Sequence, residues 1–200
     1  MTRQLILYSN ANIMNHLSDM INEKNNKRIV LAGGPSTGKT SVINELNKLG
    51  YMCFEEAARD ILSQYSSKGS SFKLDPIKIS NEILTKRDND FNIAYNVSCK
   101  NDIVFFDRGV HEITAYLRSI NQSASYWEEL LKNYIYDMVF IFPSWKEIYT
   151  KDDNRIEEFE EAMKISPFIH EIYDESSIKT IEVPNTSINE RVDFILKSIK

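Results

Sequence analysis

The sequence predicts an α/β fold built on a mainly parallel β-sheet, and three observations carry the prediction. Short apolar runs alternate along the chain with longer segments of helical periodicity, the pattern of βαβ units. Four of the five runs are apolar on successive residues, as in strands covered by helices on both faces. A glycine-rich stretch, Gly33 to Thr40, separates the first apolar run from the first helical period.

Taken in order, the strands are expected at about 28–32, 51–54, 103–106, 138–142 and 180–183. Helices are expected between and after them at about 39–49, 56–66, 76–98, 111–121, 124–134, 156–174 and 187–198. Asp75-Pro76 opens the longest of these, with proline at its first position, after a small polar stretch at 66–71. Residues 1–27 do not share the pattern. Ile13, Leu17, Met20 and Ile21 are spaced for a short helix over about 11–24, so this part reads as an N-terminal extension to a single domain over 28–200.

The whole-chain composition sets limits. At 200 residues, 42% hydrophobic and 26% charged, the chain has enough apolar material for one core without disulfides or structural metal. The net charge of −5, with both signs interspersed, gives no broad basic field, which excludes nucleic acid as the default partner. Cys53 and Cys99 lie apart in apolar segments and are expected to be buried and reduced. The run Leu5-Ile6-Leu7-Tyr8 is broken at once by Ser9-Asn10, so it fits neither a signal peptide nor a membrane span, and a cytoplasmic location is expected.

Gly33-Gly34-Pro35-Ser36-Thr37-Gly38-Lys39-Thr40 satisfies GxxxxGK[ST] in the context that gives the motif its meaning, after a strand and before a helix. Gly33 and Gly38 permit backbone angles that let successive N–H groups wrap phosphate oxygens at a helix N-terminus. Lys39 brings a positive charge to the β- and γ-phosphates, and the Thr40 hydroxyl suits one place on an octahedral Mg²⁺. Ser41 completes the expected nucleotide-binding set. ATP is the default nucleotide and GTP the alternative.

A second anchor follows at Ile103-Val104-Phe105-Phe106-Asp107, an apolar strand ending in a carboxylate placed to help hold Mg²⁺. Arg108 comes next, a bidentate donor at the sheet edge suited to the transferred phosphate or the acceptor. A switch GTPase would need Asp-x-x-Gly here, and Val110 stands at the glycine position. Thr85-Lys86-Arg87-Asp88 matches a guanine-reading TKxD pattern but falls inside a predicted helix before the Asp107 strand, out of order for that role.

With these blocks placed, the sequence resembles the AAA-domain P-loop family that includes the ribosylnicotinamide kinase domain of the bifunctional NAD regulator. The resemblance runs from about Arg28 to Leu196. It rests on the phosphate loop, Gly50-Tyr51 leading to Glu56-Ala57-Ala58-Arg59, Phe105-Phe106-Asp107-Arg108-Gly109, Phe142-Pro143 through Tyr149, Asp152-Asp153-Asn154-Arg155 and the acidic stretch 157–162. It implies a nucleotide-kinase-like three-layer fold with strand order 2-3-1-4-5, an acceptor region after strand two and a lid after strand four.

The resemblance places Glu56 and Arg59 on the acceptor side, with Glu56 as a candidate base. Arg87 and Arg108 join them as acceptor-side candidates, and Arg155 would be a lid arginine stabilising the transferring phosphoryl group. Alternatively, Glu56 starts a helix with Arg59 as its i+3 ion-pair partner, and 151–161 is a solvated helix start. Trp145 and Tyr149 either pack on the nucleotide base or seat the lid. The implied activity is phosphoryl transfer to a nucleoside-like or other hydroxylated small molecule, by a monomer or dimer, with catalysis by Lys39, Glu56, Arg108 and Arg155. Its alternative is a nucleotide-binding and hydrolysing module that regulates a protein or lipid partner.

Overall fold

The computed structural model describes residues 26–66, 75–122, 125–148 and 163–199. Five strands form one parallel sheet: β1 (Lys27–Ala32), β2 (Met52–Phe54), β3 (Ile103–Asp107), β4 (Met138–Ile141) and β5 (Thr180–Glu182). Their order is β2-β3-β1-β4-β5, as the resemblance implied. β1 pairs with β3 in the register Ile29 to Phe105 and with β4 in the register Ile29 to Met138.

The helices are α1 (Lys39–Lys48), α2 (Ala57–Ser66), α3 (Pro76–Asn96), α4 (His111–Ser119), α5 (Ser125–Leu131), α6 (Ser166–Glu175) and α7 (Ile188–Ser198). Short 3₁₀ turns lie at Lys100–Asp102 and Lys146–Ile148. The ends obey local chemistry. The Asp75 carboxylate accepts from the Ile77 and Lys78 amides ahead of Pro76, which caps α3. Ser187 and Glu190 cap α7 reciprocally. Gly50, at φ 87°, ends α1, where Gly50 N–H donates to Asn47 O and Tyr51 N–H to Leu46 O; this turn delivers the chain into β2.

Because side chains alternate along a strand, β1 feeds two cores. Ile29 and Leu31 pack with Val42, Ile43 and Leu46 of α1 and Val192 and Ile195 of α7. Val30 and Ala32 pack with Phe91 and Ala94 of α3, Ile113 and Leu117 of α4, and Ile169, Ile172 and Tyr173 of α6. Each fully buried Val, Leu, Ile or Phe among them contributes roughly 1.5–3 kcal/mol relative to its exposed state. The result is three layers, with the sheet in the middle.

Some expectations need correction. The sheet is fully covered only at its centre: β2 and β5 are half-buried, because each has a neighbour on one side only. The two cysteines carry thiols and no disulfide, but both are half-buried, since each lies at the margin of a core cluster. The helix expected over 156–174 is described only from residue 163, and α6 proper starts at Ser166. The expected extension helix over 11–24 lies outside the described residues. Among the described residues, no helix is long and apolar enough to cross a membrane.

Candidate functional site

The phosphate loop, Glu56 and the Asp107-Arg108 pair reach the carboxyl edge of the sheet, where ligands of open α/β sheets bind. The loop from Gly33 leaves β1 there and enters α1 through Gly38, at φ 86°. Gly33, at φ 139°, is required on two counts: its backbone sits in the region L side chains avoid, and a Cβ would lie 2.5 Å from the Phe142 carbonyl oxygen. Pro35 and Ser36 form the half-buried turn of the loop, and Ser41 is exposed in the first turn of α1.

Lys39 is buried under this loop, with its Nζ donating to Gly33 O at 2.8 Å, Gly34 O at 2.6 Å and Thr37 Oγ1 at 3.0 Å. The loop's own carbonyls therefore hold the ammonium in place. Burial, aided by the neighbouring Arg108 cation, pulls its pKa down to about 7. An arriving phosphate would reverse that shift by supplying negative charge.

The Thr40 hydroxyl donates to Asp107 Oδ2 at 3.0 Å, joining the start of α1 to the end of β3. Asp107 Oδ1 is buried with no hydrogen-bond partner among the described residues, and burial raises the carboxyl pKa. A hydroxyl beside a carboxylate with an unused buried lone pair matches the hard oxygen donors that Mg²⁺ takes. Among the described residues, no cluster of three or more His, Cys, Asp or Glu could hold a metal unaided.

Two of the acceptor-side candidates, Arg87 and Arg108, converge on a third, the Glu56 carboxylate. Glu56 ion-pairs through Oε2 with Arg108 Nε and through Oε1 with Arg87 Nη2, the latter at 2.9 Å. Burial alone would raise the Glu56 pKa, but Arg108 and then Arg87 overcome it and hold the group at about 2. Arg87 is fixed in turn by a 2.7 Å bond to Gly109 O, which explains why an arginine sits buried on α3. Arg59 does not belong to this cluster: it is exposed on α2 and makes no ion pair with a described residue. The i+3 pairing of Glu56 with Arg59 is thus overturned, because Arg87, buried on α3, and Arg108, half-buried just after β3, pair with the carboxylate instead. The Thr85–Asp88 segment lies inside α3, as its position in the sequence required.

Three participants were missed. Glu112, buried in the first turn of α4, receives Arg108 Nη1 at 2.8 Å and Gly109 N–H at 3.2 Å. Its spacing of four from Arg108 was the available signal. Tyr173 of α6 donates to Glu112 Oε1 at 3.4 Å, and nothing in its local sequence marks it. Arg191 of α7 donates to Thr37 O at 3.0 Å, and its guanidinium lies 4.4 Å from the Trp145 ring centre, so Trp145 is stacked beside the phosphate loop. Tyr149, Asp152, Asp153 and Arg155 lie outside the described residues.

No curated protein matches the chain. Among solved structures, deoxyadenosine kinase from M. mycoides with products bound superposes with a TM-score of 0.65 at 17% identity, over 86% of this chain and 98% of that one. Thymidylate kinase from Candida albicans gives 0.67 at 15%, over 88% and 91%. NadR protein in complex with NR gives 0.68 at 16%, over all of this chain and 58% of that one. These likenesses establish a nucleotide-kinase-like P-loop fold. The model of the AAA domain matches residues 28–191, which span the sheet and every motif described above, and the chain belongs to that family.

Proposed function

We propose that the chain is a Mg²⁺-dependent small-molecule kinase, with ATP as the default donor and a nucleoside-like hydroxyl compound as acceptor. The observation that carries this reading is Glu56 held between Arg87 and Arg108 beside Lys39, Thr40 and Asp107. A nucleotide hydrolase has no need of a carboxylate fixed by two arginines where an acceptor hydroxyl would stand.

In the proposed reaction the acceptor oxygen forms a bond to the γ-phosphorus as the bond to the β-bridging oxygen breaks. The acceptor proton passes to Glu56, and the nucleoside diphosphate leaves with the bridging electrons. A carboxylate as acidic as Glu56 is a weak base for an intact hydroxyl. It suits a proton released late, when the loose transition state has already weakened the O–H bond. Lys39 and Arg108 would compensate charge on the phosphoryl oxygens, and Arg155 is proposed to join them from the lid. Thr40 and Asp107 would hold Mg²⁺, whose chemistry is to neutralise phosphate charge.

Charge matching favours an uncharged acceptor. Arg87 and Arg108 are already compensated by Glu56 and Glu112, so these two arginines offer little unspent charge to an acceptor monophosphate. Of the solved structures it resembles, one named as deoxyadenosine kinase and a NadR protein in complex with NR support an acceptor of nucleoside type, whereas thymidylate, in the name of a third, is a nucleoside monophosphate. A cytoplasmic location and a monomeric or dimeric state belong to the same proposal.

The test is transfer of labelled γ-phosphate from Mg·ATP to a panel of nucleosides and nucleoside monophosphates. Labelled product with at least one nucleoside, and none with the Lys39→Ala variant, is the expected result. Hydrolysis at one rate regardless of every acceptor would sink the kinase reading and favour the regulatory module.

A further inference from the structure

We propose that Glu112 is the positioning residue for Arg108, and that Tyr173 latches Glu112 in place. Arg108 is an unusual place for a long side chain to start. Its backbone is left-handed, at φ 79°, a conformation a non-glycine residue keeps only where its surroundings impose it. The backbone is tied by Arg108 N–H donating to Leu31 O at 3.1 Å. From there the guanidinium reaches three groups: Glu56 through Nε, and Gly33 O at 2.7 Å and Glu112 Oε2 at 2.8 Å through Nη1. Glu56 lies on the acceptor side and Gly33 in the phosphate loop, so Arg108 bridges the two halves of the site.

Glu112 is the anchor that belongs to neither half. It is 3% exposed and sits in the first turn of α4, where the helix dipole favours an anion. Its Oε1 accepts from Gly109 N–H and from the Tyr173 hydroxyl, so it cannot rotate without breaking three bonds. The Tyr173 ring is itself fixed, fully buried and stacked on His111 at 5.2 Å between ring centres. Gly109 completes the latch, because a Cβ there would meet the Tyr173 hydroxyl at 2.6 Å.

The consequence is a constant partner for Arg108. When Glu56 takes up the acceptor proton, Arg108 loses the charge of that partner at the moment the phosphoryl group passes. Glu112 stays held by Gly109 N–H and the Tyr173 hydroxyl, so Arg108 keeps one fixed, aligned partner and can turn its other donors to phosphate. Glu112 touches neither substrate nor metal in this scheme and acts only through Arg108.

The effect on turnover rests on the kinase reading; the geometry does not, and the experiment separates them. In the substrate-free protein, the Arg108 Nε–H signal in ¹H–¹⁵N spectra should be sharp and protected from solvent exchange. It should broaden or vanish in Glu112→Gln, weaken in Tyr173→Phe, and be largely restored in Glu112→Asp, which keeps the charge. In phosphoryl transfer, Glu112→Gln should lower kcat on the order of a hundred-fold, as for a misaligned catalytic group, while Mg·ATP affinity stays within about three-fold. Glu112→Asp should recover part of kcat.

An Arg108 signal unchanged in both Glu112→Gln and Tyr173→Phe would overturn the proposal, whether or not the wild type transfers phosphate. So would equal loss of kcat and of nucleotide binding in Glu112→Gln, the pattern of a collapsed fold. Absence of wild-type transfer to every acceptor, with the Arg108 signal responding as expected, would overturn the kinase reading and leave the positioning role established.

Discussion

At the scale of single residues, burial decides protonation, and two groups give measurable consequences. His111 is 1% exposed and its Nδ1 has no hydrogen-bond partner among the described residues, so burial depresses its pKa from 6.5 to about 4. A base depressed in the folded state binds fewer protons than the unfolded chain between those two values. Its contribution to stability is therefore complete above pH 6.5 and is lost as the pH falls toward 4, by about 3 kcal/mol in total. Urea melts across that window should show the decline, and His111→Phe should flatten it while costing little at neutral pH. Lys39 titrates in the other range: its pKa is depressed from 10.5 to about 7 in the nucleotide-free protein, and bound phosphate should raise it again. Between those values, Mg·ATP binding should take up as much as one proton, which calorimetry in buffers of differing ionisation enthalpy would report. Lys39 and Arg108 were legible as residues because the phosphate-loop and strand-end motifs mark them, and Glu56 was singled out by the family resemblance. That Glu56 answers to Arg87 was not, since 31 residues separate them and only the packing of α3 brings them together.

At the scale of elements, the phosphate loop is shaped by neighbours as much as by its own glycines. Gly33 faces the backbone carbonyl of Phe142, which cannot step aside, whereas Gly38 faces the end of the Arg191 side chain at 2.7 Å, which can. Gly33→Ala should therefore destabilise the protein by more than about 2 kcal/mol and abolish nucleotide binding, while Gly38→Ala should cost about 1 kcal/mol from backbone strain. Denaturant melts paired with nucleotide titrations distinguish them, and equal costs would mean that the Phe142 contact is unimportant. Arg191 is the element-level surprise. It comes from the last helix, 154 residues from the carbonyl it holds, and in the sequence it is one more charge on an amphipathic stretch. By contrast, Asp75-Pro76 and the Ser187 to Glu190 cap announce helix starts locally, because capping is a short-range interaction.

At the scale of the whole molecule, the positions of all five strands were legible, since covered parallel strands are short, apolar and bounded by helical periods. Their order was not legible from periodicity, because nothing in a strand's own pattern names its neighbour. It came with the family resemblance and the sheet bears it out. The half-buried edges escaped notice for the same reason: Met52-Cys53-Phe54 is as apolar as a central strand. A ligand that joins the loop after β1 to the ends of β2 and β3 should stabilise the molecule globally. Mg·ATP at about a hundred times its Kd should raise the melting temperature by about 5–10 °C in differential scanning, and Lys39→Ala should remove the shift.

The placement of β1 also governs how the chain can mature. It is the first described strand to leave the ribosome, yet it lies in the middle of the sheet, and its partners are β3, beginning at Ile103, and β4, beginning at Met138. Until β3 has been completed at Asp107, 75 residues past Ala32, Ile29, Val30 and Leu31 have no strand to pair with, and the nascent chain exposes a sticky segment with both edges open. Premature termination before Ile141 therefore leaves a β1 that is half-paired or unpaired. Such fragments carry a strand with an open edge, and their aggregation in a truncation series ending before Ile141 is the expected outcome.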